Sequence, residues 1–184
     1  MAEPETANYR RYALTPSGIS PMARPGTRGT AYTADGLEHS ERGIPSSQAG
    51  DHLAQLDKRA RKLEHADYSR YWAEIEGEGD VAVVTWGSCT APVREALARA
   101  RAEGVKARLV SLRLLAPAQP ERLAAALAGV RRILVVEQTH SGQFHRYLRA
   151  AFDLPCETRV FHRAGPLPMR PGEIHSKIVK ELAA

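Results

Sequence analysis

The chain has 184 residues, 43% of them hydrophobic, which is enough for one moderate core but too little for the several domains of a multi-cofactor enzyme. The net charge of +5 arises in residues 80–184, but the basic side chains are spread singly and form no run typical of nucleic-acid binding. No apolar run approaches the roughly 20 residues of a membrane-spanning helix, and the N-terminus lacks a signal-peptide core. We therefore expect a cytoplasmic protein that binds neither membrane nor nucleic acid.

Residues 1–50 are predicted to form an irregular N-terminal arm. They show neither the 3.6-residue period of a helix nor the alternation of a strand, and glycine and proline interrupt them repeatedly. Tyrosine, leucine and isoleucine nevertheless recur along the segment, which is unusual for a disordered tail. We predict a wrapping arm that lies on a folded surface and uses these side chains as anchors.

A helical pattern follows, from about Ala54 to Ile75, and the glycines within 77–79 end it. The apolar positions fall on one stripe, while lysines and arginines occupy the other positions. The sequence thus predicts one long amphipathic linker helix within residues 51–79. Its apolar stripe consists of Leu53, Leu56, Ala60, Leu63 and Ala66.

Residues 80–184 alternate between strand and helix patterns. Strands are predicted at Val81–Trp86, Ala107–Leu112, Arg132–Glu137 and Thr158–His162. Helices are predicted to begin near Thr90, Pro120, Ser141 and Pro171. This alternation predicts an α/β domain of three layers, in which helices cover both faces of a mostly parallel sheet.

Two loops follow predicted strands at the edge where open α/β sheets bind ligands. Residues 86–90 contain one glycine and match no nucleotide-binding fingerprint. The second loop places Glu137, His140 and Gln143 within seven positions. His140 suits a proton carrier or anion contact, or alternatively a turn histidine that hydrogen-bonds its own helix start. Glu137 needs a backbone N–H, an arginine or a neighbouring subunit as its partner.

A second polar group lies in the arm, where Glu38, His39 and Glu41 occur within four positions. One interpretation is a solvated acidic turn. The other is a loop that reaches into a composite site built mostly by other domains, since functional residues are often carried on loops. These three residues and Glu137, His140 and Gln143 are the candidate composite-site or interface residues.

The sequence offers no cofactor site within this chain alone. Cys89 and Cys156 lie 67 positions apart, which excludes a CxxC zinc half-site, and two thiolates are too few for an iron–sulfur cluster. The histidines lack metal-ligand spacing, and Ser88 and Ser141 are predicted to be helix N-caps rather than nucleophiles. We therefore assign no catalytic residue, no metal ligand and no cofactor to this chain.

Several motifs occur in an order that resembles a known family. They are Gly18-Ile19-Ser20-Pro21, Pro25-Gly26, residues 36–41, residues 58–63, Thr85-Trp86-Gly87-Ser88, and Val136-Glu137-Gln138 with Gly142-Gln143. Together they resemble the alpha subunit of 2-oxoacid:ferredoxin oxidoreductases, best the 2-oxoglutarate type, over the chain from about Tyr9 onward. Met22 and Ser40 depart from the family pattern, which usually has arginine and aspartate there, and this weakens any transfer of substrate contacts to Arg24 or Glu38.

The resemblance implies a transketolase C-terminal-like domain and an activity that belongs to a complex. Members of the family use thiamine diphosphate and Mg²⁺ to decarboxylate a 2-oxoacid, pass electrons through an iron–sulfur cluster to ferredoxin, and deliver the acyl group to coenzyme A. Their pyrimidine-binding domain precedes the Gly-Ile-Ser-Pro segment, and their beta subunit holds the diphosphate. We therefore expect the C-terminal part of an alpha subunit, inactive alone, that needs a beta subunit and a pyrimidine-binding domain.

Two alternatives remain open at this point. In the first alternative, the chain is the C-terminal domain of a transketolase or of a dehydrogenase E1 beta chain, although those proteins lack such an arm. In the second alternative, the chain is a non-catalytic interaction module. Dependence on ferredoxin rather than NAD would argue against the first alternative. Co-purification with a beta subunit would argue against the second.

Overall fold

The structure is a computed structural model that describes residues 8–182, so the first seven residues of the predicted arm lie outside the described part. The helices are α1 (Ala49–Glu64), α2 (Thr90–Ala102), α3 (Pro120–Ala126), α4 (Gln143–Ala151) and α5 (Pro171–Leu182). The strands are β1 (Ala73–Glu76), β2 (Val81–Trp86), β3 (Ala107–Leu112), β4 (Arg132–Glu137) and β5 (Thr158–His162). The chain divides into two compact units, Met1–Asp67 and Tyr68–Ala184.

The first unit consists of the arm and α1. The described part of the arm contains turns, one short 3₁₀ turn at its start and a single bridge between His39 and Pro45, as its lack of periodicity predicts. It lies on α1, where Gln55 Nε2 and Lys58 Nζ donate to the carbonyl oxygen of Tyr12 at 2.9 and 3.0 Å. Gly18 makes this approach feasible because it has a φ of +74°, and a Cβ there would lie 2.6 Å from the Lys58 carbonyl oxygen.

The prediction of a helix that continues to Ile75 is wrong. Helix α1 ends at Glu64, and Ala73–Glu76 is strand β1, which pairs antiparallel with β3 from Ala73 opposite Leu112 to Glu76 opposite Leu109. Sheet hydrogen bonds and the burial of Ala73 outweigh the local helix preference of this segment, because intrinsic propensity is a weak determinant beside tertiary contacts.

The second unit contains a five-stranded sheet in the order β1-β3-β2-β4-β5. Strands β2 to β5 are parallel and only β1 runs antiparallel, so the predicted mostly parallel α/β fold is confirmed. The four strands predicted from the sequence have the predicted bounds. Strands β2 and β4 are buried almost throughout, as expected for strands covered on both faces.

Two apolar clusters fill the space between this sheet and its helices. One contains Leu97 of α2 and Ile174 and Ile178 of α5. The other contains Leu123 of α3 and Leu148 of α4. The three-layer arrangement is therefore the predicted one, with two helices on each face. Within residues 8–182, no helix combines the length and the apolar character needed to span a membrane.

Candidate functional site

The loop after β4 is organised by the buried carboxylate of Glu137. Its Oε2 accepts hydrogen bonds from the Thr139 hydroxyl at 2.6 Å and the Phe144 N–H at 2.8 Å, and its Oε1 accepts one from the His145 N–H at 2.9 Å. Glu137 is 0% exposed. A carboxylate at this position satisfies free N–H groups at the start of α4 and interacts favourably with the helix dipole. Of the three predicted kinds of partner, the structure therefore shows backbone N–H groups.

His140 and Gln143 lie on the exposed side of the same loop. His140 makes no hydrogen bond or ion pair within the described chain, so the interpretation that it caps its own helix is wrong. The first N–H groups of α4 have other acceptors: Thr139 Oγ1 accepts the Gln143 N–H at 3.1 Å, and the Glu137 carboxylate accepts the N–H groups of Phe144 and His145. Ser141 is not the N-cap either, because Gly142 takes that position with a φ of +66°. The side chain of His140 is therefore free to contact another molecule.

The ends of β2 and β4 meet where the strand order reverses, which is the usual ligand crevice of such sheets. In this chain, residues of the two strand ends and of the loops that follow them contact one another at this place. Thr85 Oγ1 donates to the Val136 carbonyl oxygen at 2.7 Å, and the Cys89 thiol lies beside the backbone of Gln138. Burial raises the pKa of the Cys89 thiol, which keeps it protonated and unreactive. The two loops are thus tied together, and His140 and Gln143 project from a fixed frame.

A cavity of about 440 Å³ lies near the other end of α4, and its lining includes Arg149, Asp153, His145 and Cys156. Burial is the main cause that lowers the pKa of His145, and burial also raises the pKa of the Cys156 thiol. Both shifts favour the neutral forms, so this pair lacks the thiolate character of a nucleophilic cysteine site. In the described part of the chain, no group of three or more His, Cys, Asp or Glu side chains has the proximity to hold a metal ion.

The candidate residues of the arm are engaged in contacts within the first unit. Glu38 accepts two hydrogen bonds from Arg59, at 3.2 and 2.8 Å, and lies 2.9 Å from His52 Nδ1. The Arg59 guanidinium is the main cause that lowers the pKa of Glu38 from 4.5 to about 2. Glu41 accepts the Leu14 N–H at 2.8 Å. Glu38 thus joins the arm to α1, and Glu41 joins two parts of the arm, so the segment is more than a solvated turn.

His39 is the buried member of this segment. It is 2% exposed and stacks on the ring of Tyr12, with the two centroids 4.6 Å apart and the planes 9° from parallel. Its Nε2 lies 3.3 Å from Asp35 Oδ1. His39 therefore packs the arm together, and it does not converge with Glu38 and Glu41 on one point in space.

A groove of about 620 Å³ runs between the arm and α1. Its cationic lining residues are Arg11, Lys58, Arg59 and Lys62, and Ile19, Pro21 and Met22 of the Gly-Ile-Ser-Pro region supply apolar wall. Lys58 is 5% exposed, and its ammonium donates only to neutral oxygens, those of Tyr12 and Ser20. Burial, followed by the repulsion of Arg59 and Arg11, lowers the pKa of Lys58. The groove therefore presents an excess of positive charge that suits an anionic ligand.

Sequence reasoning did not assign this groove. The basic run from Lys58 to Lys62 was used only as part of the family resemblance, because positive charges on a helix usually indicate a solvated face. What distinguishes Lys58 from the other basic residues of the run is its position one helical turn after Gln55. Both side chains are buried against the Tyr12 carbonyl oxygen.

Comparison with known proteins relates this architecture to one family. The family model described as the transketolase C-terminal domain matches residues 71–151. The chain is 37% identical over 159 residues to the alpha subunit of 2-oxoacid:ferredoxin oxidoreductase 2 from Aeropyrum pernix, covering 84% of this chain. It is 31% identical over 149 residues to the corresponding alpha subunit of Saccharolobus solfataricus, covering 78% of this chain. The chain spans about a quarter of the length of these relatives, 24% and 23%.

A solved structure gives a match over a larger share of the chain. It is a 2-oxoglutarate:ferredoxin oxidoreductase from Magnetococcus marinus with 2-oxoglutarate, coenzyme A and succinyl-CoA bound. The match has a TM-score of 0.78 and 34% sequence identity, and it covers 95% of this chain and 31% of that one. Sequence and fold thus identify the same relatives.

Proposed function

This chain is homologous to the C-terminal part of the alpha subunit of 2-oxoacid:ferredoxin oxidoreductases, and from that premise we propose that it supports oxidative decarboxylation of 2-oxoglutarate in a complex. In this proposal a beta subunit and a separate pyrimidine-binding domain complete the enzyme. The observation that carries it is the similarity to a solved enzyme over 95% of the chain. That related enzyme holds 2-oxoglutarate, coenzyme A and succinyl-CoA as bound molecules.

The chemistry of this chain suits an assisting role. The described residues contain no group of three or more His, Cys, Asp or Glu side chains that could hold a metal ion, and Cys89 is buried. Thiamine diphosphate, Mg²⁺ and the cluster therefore belong, in this proposal, to the rest of the complex. The products are an acyl-coenzyme A, carbon dioxide and reduced ferredoxin. No step of the reaction is assigned to a side chain of this chain.

The groove between the arm and α1 gives the chain a specific contribution to make. 2-Oxoglutarate and coenzyme A are anions, and Arg11, Lys58 and Lys62 surround the groove without a carboxylate partner in the ion pairs of the described residues. We propose that this positive field attracts the anionic substrates of the complex. Glu38 holds the arm in place over α1, Glu41 holds two parts of the arm together, and His140 and Gln143 form the contact to partner domains.

Reconstitution tests the proposal. The chain is combined with a pyrimidine-binding domain and a beta subunit, and reduction of ferredoxin is measured with 2-oxoglutarate and coenzyme A. We expect turnover that requires all three components. Reduction of NAD instead of ferredoxin would favour the alternative of an E1-type chain. Failure of the chain to enter the complex would favour the alternative of a separate interaction module.

A matched pair of lysine substitutions tests the groove within the same assay. Lys62 lines the groove and Lys106 is exposed elsewhere. Lys62→Gln should raise the KM for 2-oxoglutarate about two- to fivefold, as expected for one exposed charge worth about 0.5–1 kcal/mol. Lys106→Gln should leave it unchanged. Equal effects of the two substitutions would contradict a role of the groove in attracting substrate.

A further inference from the structure

Helix α1 is amphipathic in the reverse sense of an ordinary surface helix. Leu53, Leu56 and Leu63 are 60%, 44% and 48% exposed, and Ala60 between them is also exposed. The residues that α1 buries are polar, namely Gln55 at 2% and Lys58 at 5% exposure. An amphipathic surface helix normally turns its apolar stripe inward, whereas α1 turns this stripe outward. The stripe is an apolar surface open to another molecule.

The polar face explains why α1 forms without burying its stripe. Lys58 Nζ donates to Tyr12 and Ser20, Gln55 Nε2 donates to Tyr12, and the Arg59–Glu38 pair adds a bidentate contact. A 16-residue helix alone is marginal in water because its first turn is costly to form. Here the arm has already fixed the helix. Association through the stripe therefore does not have to overcome the entropy of helix formation.

The spacing of the stripe is that of a coiled-coil seam. Leu53, Leu56, Ala60 and Leu63 are separated by three, four and three residues, which are the a and d positions of a heptad repeat. The flanking g positions are then basic, His52 and Arg59. The flanking e positions are acidic, Asp57 and Glu64. In two-stranded coiled coils these flanking charges determine partner choice and orientation.

The flanking charges favour one partner and one orientation. In a parallel pair of identical helices each g position meets the e position five residues later on the partner, which brings His52 to Asp57 and Arg59 to Glu64, twice by symmetry. In an antiparallel pair g meets g and e meets e, which places the carboxylates of Asp57 and Glu64 opposite each other. We propose that the stripe of α1 is the surface on which a second copy of this chain docks, with the two α1 helices parallel.

The flanking side chains are accessible for these contacts. His52 and Arg59 have side chains 59% and 45% exposed, and Asp57 and Glu64 are exposed as well. Arg59 contacts Glu38 through both terminal nitrogens, but a guanidinium has five N–H donors, so three remain for a partner carboxylate. The seam is short, so the association is weak and depends on concentration.

Sedimentation velocity of the whole chain over a concentration series tests the proposal. The wild-type chain should form a dimer as concentration rises. Leu56→Glu combined with Leu63→Glu should shift dimerisation to at least tenfold higher concentration, with an unchanged melting temperature, because both side chains are already exposed. Leu167→Glu is the matched control, since that leucine is 67% exposed and lies in the other unit. A wild-type chain that stays monomeric throughout, or equal effects of the stripe and control variants, would overturn the proposal.

Two further variants test the orientation. Glu64→Lys places a like charge opposite Arg59 in a parallel pair, so dimerisation should weaken, whereas the same change relieves repulsion and strengthens an antiparallel pair. Leu53→Cys should give an oxidised dimer by itself if the helices are parallel. A disulfide that forms only when Leu53→Cys is mixed with Leu63→Cys would overturn the parallel arrangement. Neither result depends on enzymatic turnover, so this proposal fails or succeeds independently of the proposed function.

Discussion

The two units of the chain are held together by different kinds of interaction. All the buried hydrophobic side chains of the described residues lie in the second unit, from Trp72 to Ile178. The first unit buries polar side chains instead: Thr30, His39, Gln55 and Lys58. The second unit therefore gains its stability from apolar burial, which salt and pH hardly affect. The first depends on hydrogen bonds and charges, whose net contribution is small and sensitive to solution conditions.

The largest expected effect is a truncation in the apolar core of the second unit. Leu97 is fully buried against β2, β3 and α5, so Leu97→Ala should lower the free energy of unfolding by about 3 kcal/mol. Leu37 of the arm is 65% exposed, and Leu37→Ala should change the free energy of unfolding by less than about 0.5 kcal/mol. Urea titration followed by far-ultraviolet circular dichroism, which reports on the helices of both units, measures both. Comparable losses for the two variants would contradict the contrast between the units.

A smaller effect is expected at Glu137, the buried carboxylate that organises the loop after β4 in the second unit. Glu137→Gln keeps the shape of the side chain, but its amide NH2 group must replace one of the two oxygens that accept the Phe144 and His145 N–H groups, which leaves a buried donor unsatisfied. We expect a loss of about 2 kcal/mol in the free energy of unfolding. Glu121→Gln, on the exposed side of α3, is the control. The same urea titration applies, and a neutral Glu137→Gln would mean that the cap contributes nothing.

The first unit should respond to acid before the second. The pKa of Glu38 is lowered to about 2, so its ion pair with Arg59 stabilises the unit fully above about pH 4.5 and is lost as the pH falls toward 2. An exposed pair of this kind contributes less than about 1 kcal/mol. Hydrogen exchange of the α1 amides, corrected for the intrinsic pH dependence, should show protection falling in that window. In the Glu38→Gln variant this loss of protection should be smaller. If the variant shows the same dependence of protection on pH as the wild type, Glu38 is not its cause.

The smallest effect on stability is expected at His140. Its side chain makes no polar contact within the described chain, so His140→Ala should leave the melting temperature of the isolated chain unchanged. A histidine that completes a composite site should instead affect the reconstituted complex, and we expect a lower rate of 2-oxoglutarate-dependent ferredoxin reduction. Full turnover in the variant complex would show that His140 is an ordinary exposed residue.

The sequence predicted the second unit more accurately than the first. Strands β2 and β4 are apolar along nearly their whole length, and burial on both faces leaves that pattern in the sequence itself. Strand β1 was missed because the alternation of Ala73-Glu74-Ile75-Glu76 is only four residues long, and its identity depends on pairing with β3.

The contacts of the first unit and of the strand-end loop leave weaker traces in the sequence. Gln55 and Lys58 are buried because a backbone carbonyl of Tyr12, more than 40 positions away, accepts their hydrogen bonds, and any residue provides such a carbonyl. Likewise Ser141 looks like a helix cap, but Glu137 reaches the helix start from the preceding strand. The six candidate residues were chosen for their chemistry, and their roles in a composite site remain proposals.

Strand β1 has a consequence for how the sheet meets other chains. A long open edge of a sheet invites strand addition by another polypeptide, and a short charged edge strand discourages it. Strand β1 covers the edge of β3 with four residues, and Glu74 and Glu76 are both anchored by Arg94 of α2. Recruitment of a partner by backbone ladder extension is therefore disfavoured on this side of the molecule, so subunits that approach it must recognise side chains.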